Sequence, residues 1–393
     1  MKIKSIFFLL LSFHHYQAAE QGHCSPPANP PYGEWICFSP FLSSLSCTLT
    51  CDPGWVVQGK STVKCDDGKW LQPGINFGCT AVESVMIAGN YDLDNFENMR
   101  KVELYGKYHG NDLTEEQRIL PDITEQRSDS TLDYVNSQVL ICGGWGSRRD
   151  TCSFFIPGQG SSSWNSSYYN MLARREDHKS VVLGGKLYLL GGDNTPLTTE
   201  YIEPCTSTTS KQGIPLVSKS SGACAVAITH DTFALIGGSD FSCGSYSGCG
   251  SRSGMVYNIT SGTHYSLPEM KYARMDHDCV MFKDPKTREK FILVTGGRFE
   301  GKNYMGNTEI LKVGGSFWWE KGQLNRPRSN LRLAVMEKQI FAFGGYAANQ
   351  DKGSDIVEEF DIETGTWNMA RSMMYRRAGH GVSAVPSDIN NSC

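Results

Sequence analysis

Short runs of apolar residues recur along most of the chain, and each run ends in two small residues, usually a pair of glycines. Six copies occur, at residues 85–89, 139–144, 187–192, 233–238, 292–297 and 340–345. They are spaced by about 50 residues, which fits one four-stranded blade of a β-propeller, whereas leucine-rich and helical repeats have shorter periods. The pattern therefore predicts an all-β protein with six blades.

Three further features accompany the repeat. In most copies a second strand with an aromatic or β-branched residue follows the polar loop, at 102–105, 200–202, 255–257, 309–311 and 357–361. An aromatic residue near the outer strand can cover the apolar space between blades, at Trp164, Tyr265, Trp319 and Trp367. Arg-x-x-His recurs just before an inner strand, at Arg175 and His178, Arg274 and His277, and Arg377 and His380.

Together the glycine pairs, the spaced aromatic residues and the Arg-x-x-His motif resemble the kelch repeat, over nearly all of residues 81–393. The resemblance implies a six-bladed kelch β-propeller. The first copy departs from it with Ala88 and Gly89, and the third lacks a clear Trp near 206–213. Because the first blade begins at its second strand and 380–385 is left over, we expect the C-terminal strand to close blade one and remove an exposed sheet edge.

The first residues have the pattern of a secretory signal peptide, which we assign to 1–19. Lys2 and Lys4 precede a short apolar core at 6–13, and small residues follow at Ala18 and Ala19. A bilayer span needs about 18 apolar residues, and neither this stretch nor any later one is long enough. We predict a secreted, extracellular protein with no membrane span.

An oxidising compartment allows disulfides and glycans. The chain has 14 cysteines, all of which can then pair. Asn-x-Ser/Thr triplets make Asn165, Asn258 and Asn390 candidate glycosylation sites. The formal net charge is −4 with both signs interspersed, which excludes the basic field typical of nucleic-acid-binding proteins.

Six cysteines are concentrated in residues 22–80, a density typical of a small domain that disulfides hold together. They are Cys24, Cys37, Cys47, Cys51, Cys65 and Cys79. The run from Cys51 through Gly54, Trp55 and Gly59 to Trp70 and Cys79 resembles a sushi (complement control protein) module. The resemblance implies the pairs Cys24 with Cys65 and Cys51 with Cys79. Cys37 and Cys47 are extra to the basic pattern, and we expect them to bridge the 38–46 loop.

Eight cysteines follow in the propeller region. Proximity along the chain favours the pairs Cys142 with Cys152, Cys205 with Cys224, and Cys243 with Cys249. Cys279 and Cys393 remain, and either they pair or Cys393 makes an intermolecular bridge.

Copper-radical oxidation is the enzyme hypothesis that a secreted kelch propeller raises, because galactose oxidase is similar in this respect. That chemistry needs clustered imidazoles and tyrosinates. The adjacent pair His14 and His15 lies in the signal peptide, and His277 falls at the same repeat position as His178 and His380, which favours a structural role. We predict no catalytic residue, no cofactor and no metal site.

The arginines of the motif allow two interpretations. They brace turns, which is the favoured one, or they ring one face with positive charge for an acidic partner. The loop 237–254 is long and polar, and its Tyr246 and Arg252 are residue types that make binding hot spots. We take it as the candidate binding loop; the alternative is an insertion without a binding role that an internal disulfide holds in place.

These observations predict a secreted, non-enzymatic binding or scaffold protein whose propeller loops and sushi module engage a protein or glycoprotein partner. In this hypothesis the module extends the reach of the propeller or adds a second contact. A galactose-oxidase-like enzyme with divergent ligands and a carbohydrate-binding propeller are the alternatives. The ligand, the binding face and the oligomeric state are left open.

Overall fold

The computed structural model describes residues 24–41, 44–58, 62–71, 78–91, 99–146, 149–157, 163–218, 221–240, 249–301, 303–348 and 353–386. The predicted signal peptide lies outside the described residues, as do Cys243, Tyr246, Asn390 and Cys393. Among the described residues, no helix is long and apolar enough to cross a bilayer.

The N-terminal module consists of two small antiparallel sheets. One has the strand order β1-β2-β4-β5, and the other pairs β3 with β6. Disulfides join Cys24 to Cys65, Cys37 to Cys47 and Cys51 to Cys79, the three pairs that the sequence predicts. The strands are β1 (Gly33–Phe41), β2 (Ser44–Cys51), β3 (Trp55–Gln58), β4 (Thr62–Asp66), β5 (Lys69–Trp70) and β6 (Gly78–Ala81).

Six larger sheets follow, each with four strands in antiparallel order from the inside outward. Blade one begins with β7 (Ser84–Ala88), β8 (Val102–Tyr108), β9 (Asn111–Asp112), α1 (Glu115–Arg118) and β10 (Ile119–Leu120). Blade two has β11 (Thr131–Val135), β12 (Gln138–Cys142), β13 (Thr151–Phe155) and β14 (Asn165–Asn170). Blade three has β15 (Lys179–Leu183), β16 (Lys186–Leu190), β17 (Thr199–Ile202) and β18 (Lys211–Gln212).

The remaining blades add short pairing strands in their loops. Blade four has β19 (Ala223–Ala227), β20 (Thr232–Gly237), β21 (Ser239–Asp240), β22 (Cys249–Gly250), β23 (Gly254–Asn258) and β24 (His264–Ser266). Blade five has β25 (Asp278–Lys283), β26 (Lys290–Thr295), β27 (Asn307–Lys312) and β28 (Trp319–Gln323). Blade six has β29 (Arg328–Ser329), β30 (Arg332–Met336), β31 (Gln339–Phe343), β32 (Tyr346–Ala347), β33 (Val357–Asp361) and β34 (Thr366–Met369), and the last strand is β35 (Gly381–Val385).

The C-terminal strand completes blade one, which confirms the predicted closure. Strand β35 pairs antiparallel with β7, with Gly381 opposite Ala88 and Val385 opposite Ser84. The innermost strands β35, β11, β15, β19, β25 and β30 then contact each other in a closed ring. The six blades therefore form a closed ring.

A separate apolar cluster fills the space between each pair of neighbouring blades, which we call a seam. Residues from β7 and β31 form the seam between blades one and six, and equivalent strands form the other five. Trp164 and Trp367 lie in these seams as predicted, at 3% and 4% exposed. Tyr265 and Trp319 do not, at 61% and 39% exposed, because their side chains point outward from edge strands.

One predicted disulfide is wrong. Cys224 is bonded to Cys279 and not to Cys205, because Cys224 and Cys279 lie on the innermost strands of adjacent blades, with their Cα atoms 5.7 Å apart. Cys205 lies after β17, where its backbone N–H faces Tyr169 of blade two, and it is itself disulfide-bonded. The bond from Cys224 also excludes a pair between Cys279 and Cys393. Cys142 is bonded to Cys152, and Cys249 is also disulfide-bonded.

The sushi-like module does not project away from the propeller. Asp52 forms ion pairs with Lys283 and with Arg288 of blade five, and the Asp52 carboxylate is 11% exposed. Tyr32 stacks on Trp55 with the ring centroids 3.8 Å apart, and the Arg288 guanidinium lies over Tyr32. The module thus caps the end of the channel where the inner strands finish.

We predict that the disulfide between blades four and five stabilises the fold more than the one within blade two. Cys224→Ala with Cys279→Ala opens a 55-residue link, and Cys142→Ala with Cys152→Ala opens a 10-residue link. Chain entropy alone gives a loss of about 4 kcal/mol for the first and about 3 kcal/mol for the second. Denaturant unfolding of both double variants measures the difference. A larger loss from the 142–152 variant would contradict the prediction.

Candidate binding face at the channel mouth

The glycine pairs and the arginines of the next blade meet at every well-formed seam. In blade six the N–H of Gly345 donates to the carbonyl of Arg377, at 2.8 Å. A Cβ on Gly344, whose φ is +56°, would lie 2.6 Å from that carbonyl and 2.9 Å from His380. The position therefore needs glycine, both for the positive φ and for the close approach of the next blade.

Four of these arginines are fully buried and each is paired with a glutamate of the third strand of its own blade. The pairs are Arg377–Glu103 at 3.1 Å, Arg175–Glu200 at 2.5 Å, Arg274–Glu309 at 2.8 Å and Arg328–Glu358 at 3.0 Å. Each Nη1 also donates to the carbonyl of the first glycine of its repeat, for example Arg328 to Gly344 at 2.7 Å. We call this unit the brace. It establishes that these arginines hold turns and add no exposed positive charge.

The brace also fixes the loop that leads into the inner strand. The glutamate carboxylate accepts a backbone N–H of that loop as well, as Glu200 does from Leu172 at 2.6 Å and Glu358 does from Asn325 at 2.7 Å. Both carboxylate oxygens of Glu200 and of Glu358 accept hydrogen bonds, which is the condition under which a charged group can be buried. Loops held in this way form a rigid support for a binding face.

Blades two and four show how the chain manages without a complete brace. In blade two Ser153 occupies the glutamate position, and Arg127 donates instead to the carbonyls of Gly143 and Thr151. In blade four Met255 occupies it, and the arginine is missing as well, because Ser220 is the residue two positions before the inner-strand Gly222. The chain thus avoids leaving a buried glutamate without its arginine.

The three histidines of the motif lie in three different seams. Each ring contacts the first glycine of the preceding blade, in the pairs His178 with Gly143, His277 with Gly237 and His380 with Gly344. All three are buried, and Leu331 occupies the same place in the seam between blades five and six. Burial lowers the pKa of each imidazole, that of His178 to about 3, with Arg175 adding to the effect.

These positions bear on the copper hypothesis. The histidines are neutral packing groups, and they do not converge on a common point. Among the described residues, no three His, Cys, Asp or Glu side chains form a set of metal ligands. The four residues of the sequence Asp276-His277-Asp278-Cys279 are separated in the same way. Asp276 lies at the channel and His277 lies in a seam. Asp278 accepts a hydrogen bond from the backbone N–H of Leu333, and Cys279 is disulfide-bonded.

One end of the central channel is closed to a narrow opening by a ring of hydrogen bonds, which we call the channel mouth. It consists of Asp129, Asp177, Gly222, Asp276, Asn330 and Gly379. Each residue but one donates its backbone N–H to the carbonyl of the mouth residue in an adjacent blade, as Asn330 does to Asp276 at 2.7 Å. The exception is Gly222, which donates to the Asp177 carboxylate at 2.7 Å. The module covers the other end of the channel, beyond the last residues of the inner strands.

The carboxylates at the mouth have very different proton affinities. Burial raises the pKa of Asp129 to about 7, and the Asp177 charge adds to the shift. Burial opposes ionisation of Asp177 too, but Lys179 at 3.1 Å and the bonds from Ser221 and Gly222 lower its pKa. The mouth thus carries a stable negative charge at Asp177 and a carboxyl at Asp129 that titrates near neutral pH.

Aromatic side chains surround the mouth over blades six, one and two. Tyr91 is 37% exposed and makes an edge contact with Tyr346, their ring centroids 6.5 Å apart. Trp145 follows the glycine pair of blade two and is half-buried, its backbone N–H bonded to the carbonyl of Ser128. Partly exposed aromatic rings on a rigid support, next to carboxylates, are typical of protein-binding surfaces.

The predicted site residues fall in different places. Arg252 lies on the same end of the propeller as the mouth, but its Nε donates to the carbonyl of Met270 at 2.6 Å and its guanidinium pairs with Glu269. Asn165 is exposed, whereas the Asn258 amide donates to Asp231 at 2.9 Å and its oxygen accepts two backbone N–H groups. Glycosylation at these positions and the contact role of the loop with Tyr246 stay predictions.

Sequence reasoning missed several groups of this face. The brace glutamates lie in the strand segments that the repeat predicts, and their recurrence at one position of the third strand is a signal that the sequence offers. The mouth aspartates follow the arginine position by two residues in three blades, at Asp129, Asp177 and Asp276. Trp318, and not its neighbour Trp319, packs in the seam and donates to the carbonyl of Pro268 at 2.9 Å, just as Trp164 donates to Pro121.

Fold and face together define a closed six-bladed propeller with a small disulfide-bonded cap. Comparison with known families agrees with this: residues 24–79 match the sushi repeat (SCR repeat), and residues 327–374 match the kelch motif. The chain therefore contains a sushi repeat, and a kelch motif within its propeller, and both kinds of domain suggest protein–protein interaction.

Similar proteins support the kelch part. Human Kelch-like protein 23 is 22% identical over 280 residues, which is 68% of this chain and 45% of that protein. Human and mouse Kelch-like protein 28 are 24% and 22% identical over 132 residues, 32% of this chain and 23% of theirs. The chain thus spans less than half the length of the relatives it matches.

We predict that removing one carboxylate of a brace strongly destabilises the protein. Glu309→Met leaves the Arg274 charge buried without its partner, which costs about 3–5 kcal/mol. Adding Arg274→Met should restore part of this loss, since blade four already has Met255 at the glutamate position. Urea unfolding of the single and double variants measures both effects, and the exposed Glu300→Met is the control. A loss below about 1 kcal/mol for Glu309→Met would refute the role of the brace.

The buried histidines predict a loss of stability in acid. Because the folded-state pKa of His178 is lowered to about 3, the unfolded chain takes up a proton below about pH 6.5 and the folded chain does not. Stability from His178 is therefore complete above about pH 6.5 and falls by about 1.4 kcal/mol per pH unit towards pH 3.

Replacing His178 by an apolar residue tests this slope. His178→Leu introduces the residue type that Leu331 already supplies at the same place in another seam, and it should reduce the slope of the unfolding free energy by about 1.4 kcal/mol per pH unit between about pH 6 and pH 4. Denaturant unfolding across this range measures the slope. His264→Leu on an exposed strand is the control, and an unchanged slope in His178→Leu would rule the effect out.

Proposed function

We propose that this protein is an extracellular, non-enzymatic binding scaffold, and that the propeller face around the channel mouth binds a protein or glycoprotein partner. The observation that carries the proposal is the arrangement of partly exposed aromatic rings beside the mouth carboxylates, on a propeller whose loops are held by buried charge pairs. A rigid surface loses little conformational entropy on binding. The sushi and kelch matches support a role in protein interaction.

Location outside the cell is supported by the cysteine chemistry. All cysteines of the described residues are disulfide-bonded, in the module and in the propeller alike. Such bonds form and persist in oxidising compartments and are rare in the cytosol. The signal-peptide pattern at residues 1–19 supports the same location.

The position of the module determines the roles that we propose for the module and for the propeller. Because it caps the opposite end of the channel, its role in the proposal is to close and stabilise that end, and the partner approaches the uncovered mouth. The two ends are separated by the full length of the inner strands, so a partner at the mouth does not compete with the module.

The proposal predicts that aromatic truncation at the mouth weakens partner binding at least about tenfold, the scale of a hot-spot residue. The experiment captures partners from the native extracellular fluid with the full chain and with Tyr91→Ala plus Tyr346→Ala. Tyr265→Ala is the matched control, because Tyr265 is exposed on the outer strand of blade four. Loss of capture in the double variant and not in the control is expected.

Two results would contradict the proposal. Equal capture by the double variant would remove the mouth from the binding face. Retention of the expressed chain inside the cell with its cysteines reduced would remove the extracellular assignment.

A further inference from the structure

The sushi module and the propeller line a partly open cavity of about 460 Å³. Module residues line one side, among them Leu49, Trp55 and Val56, and the last residues of the inner strands line the other, among them Val181, Ala227 and Met281. Small-molecule sites are commonly about 300–1,000 Å³, mostly apolar, and located between domains. The cavity meets all three conditions.

The cavity persists because the module contacts the propeller around it and not across it. Asp52 is ion-paired to blade five, Phe38 lies 5.2 Å from His230 of blade four between ring centroids, and Gly54 lies directly against the carbonyl of Glu337 in blade six. Val56 packs against the apolar cluster between blades one and six, at the edge of the cavity. Elsewhere the module and the ends of the inner strands leave a mostly apolar space between them, which a ligand of matching size can enter.

The polar groups of the wall indicate the charge of that occupant. Lys290 lines the cavity opposite Lys283 in the strand pair β25–β26. Asp52 compensates Lys283 and Arg288, and no carboxylate of the described residues pairs with Lys290. His230 Nε2, also in the wall, is buried without a hydrogen-bond partner. The other acid of the wall, Glu34, is exposed.

We propose that this cavity binds a compact, mainly apolar molecule with one anionic group, whose charge pairs with Lys290 and whose oxygen bonds to His230. The apolar body contacts Trp55 and the ends of the inner strands. The ligand class follows from the apolar wall and from the single uncompensated cation among the described wall residues, and the site is independent of the channel mouth.

The test titrates the full chain with decanoate and with decan-1-ol by isothermal calorimetry. One decanoate per chain is expected, bound at least about tenfold more tightly than the alcohol, and Lys290→Met should weaken decanoate binding by about the same factor. Lys312→Met is the matched control and should bind normally, because Lys312 lies on the neighbouring strand of the same blade and is paired with Glu289.

A second variant tests the location without removing a charge. Ala227→Trp fills the space and should abolish binding while thermal unfolding shows a folded chain. Absence of saturable binding to the wild-type chain would overturn the proposal. Binding that both Lys290→Met and Ala227→Trp leave unchanged would overturn the location, and equal affinity for decan-1-ol would overturn the anionic group. If Ala227→Trp does not fold, the comparison of Lys290→Met with Lys312→Met still tests the location of the site.

Discussion

The pairing of the C-terminal strand with the first strand of blade one is the constraint on which the structure depends. Val382 and Ala384 pack against the seam between blades one and six, and the strand supplies the sixth member of the inner ring. Without it the inner edge of β7 would be unpaired, and the backbone ring at the mouth would lose the link through Gly379. The pairing of β35 with β7 joins the two ends of the propeller and covers the edge of β7 that would otherwise be open.

Within the closed ring, buried charges determine how precisely the loops are placed. Each brace arginine reaches from the loop before an inner strand to the glycine carbonyl and the third-strand glutamate of the same blade, so three segments of one blade are held together. A buried ion pair contributes little net stability by itself, yet a single missing partner is costly. Blade four, which has no arginine at this position, has no buried glutamate either. A disulfide between Cys224 and Cys279 links its inner strand to that of blade five.

The two ends of the channel differ in chemistry because the inner strands run in one direction. The start of each inner strand follows the arginine position and carries the mouth residues, whereas its end is apolar and turns back at residues such as Asn136 and Glu337. The aromatic and acidic mouth is therefore open to a partner, and the apolar end is suited to being covered. Docking of the module through Asp52 covers that end and leaves a partly open cavity beneath it.

The class of fold, the number of blades and the closing strand could be predicted from the sequence, because glycine pairs and strand patterns report on conformations within one repeat. The bonds Cys24–Cys65 and Cys51–Cys79 were expected from the resemblance to a sushi module, and Cys37–Cys47 from the short loop between them. Three features became visible only in the folded structure: the bond from Cys224 to Cys279, the packing of Trp318 rather than Trp319 in a seam, and the capping of the channel by the module. Each of these features depends on a contact between segments that are far apart in the sequence. The distance between two blades cannot be read from the number of residues that separate them along the chain.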